Sequence, residues 1–306
     1  MAAIVTLSMN PALDIATSVD AIVPTDKMRC GPPRYDPGGG GVNVARVVHI
    51  LGGDAVAVVP IGGPAGLALH NLLDRDGVKH RVVSIRGPTR ESFTVDERRS
   101  GKQYRFVLPG PELSEAEQQN CLDQLAQAAR NASFVVASGS LPPGIEPGFF
   151  ERVAKVASDV GARFVLDTSG KALRHMRRGV FLLKPSIREL RELVGRELRD
   201  ESEQVAAGRE LIDQRVVEVV VISLGAQGAL LVSKKGHERL APIEVPVRST
   251  VGAGDSMVAA ITLGLVRDLA LRDAVRFGMA AGAATVMTPG TELCRREDVE
   301  RLYAAS

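Results

Sequence analysis

The chain has 306 residues, 45% of them hydrophobic, with 31 glycines and no tryptophan, so an aliphatic core fills one large domain or a large domain with a smaller appendage. A net charge of +2 supplies no electrostatic argument for a nucleic-acid or acidic-membrane partner. Cys30, Cys121 and Cys294 are widely spaced and form no CxxC pair, which speaks against a disulfide framework or a zinc site; with no signal-peptide pattern and no apolar run of membrane-spanning length, a cytoplasmic setting is expected.

Apolar patterning places a strand at residues 4–7, a helix at 42–51 ending at Gly52-Gly53, a strand at 55–61 and a helix at 66–75. Ser114-Glu115-Ala116-Glu117 is a capping box that opens a helix running to about Arg130. Strands follow at 134–137, 164–167, 181–183 and 217–223, interleaved with helices at 147–160, 187–194 and 201–214. Met257 to Val266 reads as a buried helix. This alternation predicts one α/β domain over 1–306, built on a mostly parallel sheet with helices on both faces. Residues 14–37 and 80–108 differ. There Phe93 and Val95 alternate with Ser92, Thr94 and Asp96, and Tyr104 and Phe106 with Gln103 and Arg105. That period of two predicts half-exposed antiparallel strands, projecting as a small lid sheet, a dimer surface, or both.

The most informative stretch is Ser249-Thr-Val-Gly-Ala-Gly-Asp255. Gly252, Ala253 and Gly254 carry little or no side chain, so their N–H groups at a helix start make an anion site. A carboxylate at Asp255 beside bound negative charge suits a base that accepts a proton from an attacking hydroxyl. An ordinary glycine turn before a helix is the competing reading. Pro37 precedes four glycines, Gly38 to Gly41, and Asn43. Ordering four glycines is entropically costly, which points to close backbone approach to a ligand, with Asn43 offering an amide to hydroxyls. Neither GxxxxGK[ST] nor a GxGxxG after a strand occurs.

Asp14 follows the first strand, where open α/β sheets bind ligands, and either pairs with sugar hydroxyls or serves a turn. Arg90 and Arg105 in the predicted lid, with Lys27 near it, offer phosphate contacts, although isolated arginines are usually only solvated. Residues 181–189 run from a strand into a helix whose first turn holds Glu189, a Mg²⁺ ligand through water or a helix-dipole partner. Ser223 to Gly228 borders a nucleotide or makes a tight turn. His49, His70, His80, His175 and His237 show no metal-ligand spacing.

Gly-Gly-Gly-Gly-Val-Asn-Val-Ala (residues 38–45) paired with Thr-Val-Gly-Ala-Gly-Asp-Ser (residues 250–256) resembles the two signatures of the PfkB (ribokinase-like) carbohydrate kinases. Asn10-Pro-Ala-Leu-Asp14, Gln103 to Gly110, Ser138 to Gly144 and Val275 to Gly282 extend the resemblance over essentially the whole chain. It implies a ribokinase-like fold and ATP-dependent phosphorylation of fructose 6-phosphate at the 1-hydroxyl, giving fructose 1,6-bisphosphate and ADP. Relatives acting on fructose 1-phosphate or tagatose 6-phosphate usually carry Lys where Gly40 stands, and those sugars are the alternative substrates. A catalytically silent sugar-phosphate or nucleotide-binding protein is the alternative from another class.

Carried over position by position, the resemblance makes Asp255 the catalytic base beside Gly252, Ala253 and Gly254. It puts Asp14, Gly39, Gly40, Asn43, Arg90, Arg105 and Ser138 on the sugar phosphate, with Lys27 near the transferring phosphoryl group. Lys184, Ser186, Ser223, Gly225 and Gly228 would border ATP. Glu189 would hold Mg²⁺ through water, and Ser249 and Val251 would serve a monovalent cation such as K⁺. Ser186 departs from the family's usual Asn, which predicts a looser Mg²⁺ shell. The resemblance also implies a homodimer joined through the lids.

Overall fold

The computed structural model describes residues 2–306. The chain begins with β1 (Ile4–Leu7), β2 (Ala12–Val19), β3 (Arg34–Gly38), α1 (Gly40–Ile50), β4 (Ala55–Ile61), α2 (Gly63–Arg75), β5 (His80–Ser84), β6 (Arg90–Glu97) and β7 (Gln103–Val107). Then come α3 (Glu115–Ala128), β8 (Phe134–Ser138), α4 (Phe149–Asp159), β9 (Arg163–Asp167), α5 (Gly170–His175), β10 (Val180–Leu183), α6 (Ile187–Val194) and α7 (Glu201–Asp213). The last part is β11 (Val217–Ser223), a 3-10 turn at Gly225–Gln227, β12 (Ala229–Ser233), β13 (Gly236–Leu240), α8 (Ala253–Val266), α9 (Leu271–Val286) and α10 (Arg296–Ala305).

Nine strands form the main sheet in the order β13-β12-β11-β10-β9-β8-β1-β4-β5. All neighbours are parallel except β11-β12 and β12-β13, which close one edge as antiparallel pairs. The chain winds one way from β1 through β4 and the other way through β8, so β1 lies at the topological switch point, where open sheets bind ligands beyond the strand C-termini. Alternating residues of β1 feed two cores: Ile4 packs with α1, α8 and α9 on one face, Val5 and Leu7 with α3 and α4 on the other. Each large aliphatic or aromatic side chain buried this way, such as Phe134 or Leu182, contributes about 1.5–3 kcal/mol. Among the described residues, no helix is long and apolar enough to cross a membrane.

The small sheet has the order β3-β2-β6-β7. It differs from the expected lid in two respects. Its central pair, β2 and β6, is parallel, so two antiparallel hairpins lie side by side. Residues 80–84, read from their alternation as lid, instead form β5, parallel to β4 at the edge of the main sheet. An edge strand is half-exposed like a lid strand, so period-two alternation does not separate them. The lid is tied to the body at Asp36. Its Oδ2 accepts from Thr291 Oγ1 at 2.6 Å and pairs with Arg34 Nε at 2.9 Å, while its Oδ1 lies 3.6 Å from buried Arg46 on α1.

Behind the Gly-Ala-Gly turn, α8 and α9 pack at glycine contact. A Cβ on Gly278 would lie 2.4 Å from Ile261 Cγ1 and 2.8 Å from the Met257 carbonyl. That close seat leaves α8 little freedom to shift along α9, and so holds its N-terminus in place.

Candidate active site

The start of α8 has the geometry the sequence predicts. Gly252 is the N-cap in a left-handed conformation, φ 76°, which a side chain would strain. The first N–H groups of the helix, from Ala253 onward, have no intrahelical partner, and Asp255 stands in that first turn. Its Oδ2 accepts from Asn43 Nδ2 at 3.0 Å and its Oδ1 from Ser138 Oγ at 3.0 Å. Burial and the nearby charge of Asp167 push its carboxyl up to about 6, against the hydrogen bonds from Asn43 and Ser138 and the charge of Lys184.

Asn43 and Ser138, expected on the sugar, therefore orient the carboxylate of Asp255. Asp167 at the end of β9 was not singled out in the sequence. Its position directly after an apolar strand, at a strand C-terminus, was the available signal. It pairs with Lys184 Nζ at 3.2 Å. Lys184 is 4% exposed. Burial works against its charge, but Asp167, Glu189 and Asp255 outweigh that and hold its pKa above the ordinary lysine value. Burial raises the Asp167 carboxyl, with Lys184 opposing and Glu189 adding. A Cβ on Gly254 would sit 3.4 Å from Lys184 Nζ, so the ammonium lies against the Gly-Ala-Gly turn.

The glycines at 38–41, expected to approach a ligand, also have close partners within the protein. A Cβ on Gly38 would meet Asp14 Oδ2 at 2.2 Å, one on Gly39 Ser8 Oγ at 2.7 Å, one on Gly40 Ser138 Oγ at 2.3 Å, and one on Gly41 the Leu7 carbonyl at 2.4 Å. Each of these approaches is to the protein's own atoms, and those at Gly40 and Gly41 seat α1 against the ends of β8 and β1.

On the lid side, Asp14 is raised to about 6 by burial, with Arg90 and Arg105 opposing and Asp36 adding. Arg90 donates through Nε and Nη2 to the Asn10 carbonyl at 3.2 and 3.1 Å, and through Nη1 to Ser92 Oγ at 3.2 Å. A cavity of about 750 Å³ is lined by Arg90, Asn10, Ser140, Lys171 and the 107–110 segment. A second cleft of about 500 Å³ is lined by Ser223, Gly225, Gly228, Ala253, Gly254 and apolar residues including Val247 and Met279. Ser223 N donates to the Pro185 carbonyl at 2.9 Å, which sets Lys184 to Ser186 beside this cleft.

Four more of the predicted residues have settings that the sequence does not show. Ser186 and Glu189 form a reciprocal capping box, with Ser186 N donating to Glu189 Oε2 at 2.8 Å and Ser186 Oγ accepting from Glu189 N at 3.2 Å. One Glu189 oxygen is thus committed to the helix start. Lys27 is exposed between β2 and β3. Ser249 Oγ donates to the Gly290 carbonyl at 2.7 Å and accepts from Val251 N at 3.2 Å, so hard oxygen donors gather beside the 286–291 segment.

A doubly wound sheet, a glycine turn with a half-buried carboxylate at a helix start, and a small lid define a ribokinase-like kinase. The pfkB family carbohydrate kinase model matches residues 7–298, and the chain belongs to that family. The chain is 59% identical over 300 residues to the ATP-dependent 6-phosphofructokinase isozyme 2 of Mycobacterium tuberculosis, covering 98% of this chain and 88% of that protein. Phosphofructokinase-2 from Escherichia coli, crystallised in complex with potassium, superposes with a TM-score of 0.95 at 41% identity, over 100% of this chain and 99% of that one. The same Escherichia coli protein in complex with fructose 6-phosphate superposes with a TM-score of 0.92 at 39% identity, over 100% and 99% of the two chains.

Proposed function

We propose that this protein is a cytoplasmic ATP-dependent kinase that phosphorylates fructose 6-phosphate at its 1-hydroxyl. The observation that carries the reading is the position of Asp255 between two cavities. Ala253 and Gly254, directly before it, line the apolar cleft. Ser138, hydrogen-bonded to it, leads through Gly139 to Ser140 in the wall of the cavity that holds Arg90. ATP would occupy the first and the phosphosugar the second.

In that arrangement Asp255 accepts the proton of the 1-hydroxyl as the oxygen attacks the γ-phosphorus in line. The bond from phosphorus to the bridging oxygen breaks, and ADP leaves with the electron pair. The N–H groups at the start of α8 and the Lys184 ammonium face the developing charge. Asn43 and Ser138 keep the accepting oxygens aimed. Arg90 and Arg105 would take the 6-phosphate, and Asp14 a sugar hydroxyl. Hard oxygen ligands suit Mg²⁺; Asp167 and, through water, the free oxygen of Glu189 would hold it close to Lys184, and the ion would neutralise phosphate charge. Oxygens of Ser249, Val251 and Gly290 suit a monovalent cation such as K⁺.

Gly40 favours fructose 6-phosphate over the alternative sugars. A side chain there runs into Ser138 Oγ, so the lysine carried by those relatives has no room. The lid also favours pairing with a second copy. Tyr35, Ile15, Phe93 and Phe106 are cross-strand neighbours in one row over all four lid strands, and Tyr35 and Phe106 are 46% and 54% exposed.

Coupled ADP detection with fructose 6-phosphate, fructose 1-phosphate, tagatose 6-phosphate and free fructose tests the reading. The highest kcat/KM is expected with fructose 6-phosphate. A preference for either other phosphosugar refutes the substrate, and ADP release no faster with sugar than without refutes the activity.

A further inference from the structure

The five histidines show no ligand spacing in the sequence, yet the fold brings two of them together far from the glycine turn. His70 and Asp74 sit four residues apart on α2, on one helix face, and His80 opens β5. The coordinating atoms of all three lie within 4.8 Å of one another. His70 Nδ1 and His80 Nε2 are 2.7 Å apart. Asp74 Oδ2 lies 3.5 Å from His70 Nε2, and Asp74 Oδ1 3.8 Å from His80 Nε2.

The proton inventory is short. His80 Nδ1 lies 2.8 Å from the Val78 carbonyl, which only accepts, so that nitrogen carries the proton and Nε2 presents a lone pair. His70 brings its Nδ1 to within 2.7 Å of this lone pair, and its Nε2 faces the Asp74 carboxylate. Two imidazoles and a carboxylate thus converge on one small volume. An imidazole whose outer N–H is fixed by a backbone carbonyl is the arrangement that orients histidine ligands in metal centres.

We propose that His70, Asp74 and His80 form a site for a borderline transition-metal dication, Zn²⁺ being the probe of choice. Two ligands on one tetrahedral zinc ion stand roughly 3.3 Å apart, given Zn–N and Zn–O bonds of about 2.0–2.2 Å. The separations of 2.7 and 3.8 Å at His80 Nε2 bracket that value. The adjustment falls on His70 and Asp74, whose side chains are 38% and 62% exposed, while the His80 side chain at 6% is held. Exposed Asp74 leaves the fourth position to water. Two imidazoles with one carboxylate favour Zn²⁺, Co²⁺ or Ni²⁺ over Mg²⁺, so Mg²⁺ supplied with a nucleotide does not compete. The ion would clip the C-terminal half of α2 to the edge strand of the main sheet.

The metal-stripped full chain is titrated with Co²⁺, read by visible absorption, and with Zn²⁺ in competition. Thermal midpoints are measured with and without Zn²⁺. One equivalent per chain is expected, with a midpoint that rises with Zn²⁺ concentration. His70→Gln and Asp74→Asn, both at accessible positions, should each weaken binding by at least about tenfold and abolish the rise in midpoint. His80→Gln removes a buried ring, so its fold is checked by circular dichroism, and the two accessible variants carry the decision. No stoichiometric binding at micromolar Zn²⁺ overturns the proposal. So does binding that both variants leave unchanged, which would put the ion on other ligands such as the thiols.

Discussion

Asp14 in the lid and Asp255 in the body are both raised to about 6, and burial is the largest cause at each. Their other neighbours differ. Asp255 is raised further by Asp167 and held back by two neutral hydrogen bonds and Lys184. Asp14 is held back mainly by Arg90 and Arg105. The poise of Asp255 thus belongs to the folded body, whereas that of Asp14 rests on two guanidinium groups that an incoming phosphate would claim. A shared value conceals a body carboxylate poised by fixed neighbours and a lid carboxylate whose state depends on what the arginines hold.

The sharpest way to break this contrast is Asp255→Asn, which should lower kcat by about 10²–10⁴ with little change in substrate binding. Activity within threefold of the parent would remove Asp255 from the role of base. In the parent, the base form exists above about 6, so kcat should fall as pH drops through that value.

Arg90→Ala addresses the lid side. It should raise KM for fructose 6-phosphate far more than for ATP, with a loss of about 2–5 kcal/mol. If free fructose and fructose 6-phosphate lose efficiency equally, Arg90 does not read the phosphate. Next in size, Phe93→Asp with Phe106→Asp should give monomers by sedimentation, with weakened fructose 6-phosphate binding and an unaltered ATP site. A parent that is monomeric and fully active at micromolar concentration rules out pairing through the lid. The smallest effect is expected from Ser138→Ala. Ser138 holds the Asp255 carboxyl down, so its loss should move the acidic limb of kcat to higher pH. A limb that stays put or moves lower shows that Ser138 does not tune the base.

Much of the body was legible because its signals are local. The capping box at Ser114 and the strands at 55–61 and 217–223 coincide with the structure. So does the helix start at Asp255, because small residues before an apolar run leave few alternatives. What escaped depends on partners distant in sequence. Asp167 matters through Lys184 and Ser138 on neighbouring strands. His70 and His80 converge from a helix and a strand. The internal contacts of the glycines at 38–41 were hidden because a chain cannot announce which of its own atoms will press against them. Glu189 had two readings, and its cap is satisfied while its second oxygen stays free for the other. The β12-β13 hairpin, α5, α9 and α10 were not marked in the sequence; α9 is rich in Ala and Gly and begins without a side-chain cap.

The parallel seam of the lid has a consequence for the order in which the molecule is built. The β6-β7 hairpin closes through a short turn at 98–102, and β2-β3 through the segment at 20–33. Each forms from near neighbours in the chain. The seam between them joins 12–19 to 90–97, and the chain between those segments builds α1, β4, α2 and β5 of the body. Loop-closure entropy makes that pairing costly until the intervening part has folded. Arg90 and Arg105 therefore meet Asp14 late, and a partly folded chain lacks this cluster of lid charges. Pulsed amide exchange during refolding would read this order directly: protection on β1 and β4 should precede protection on β2 and β6.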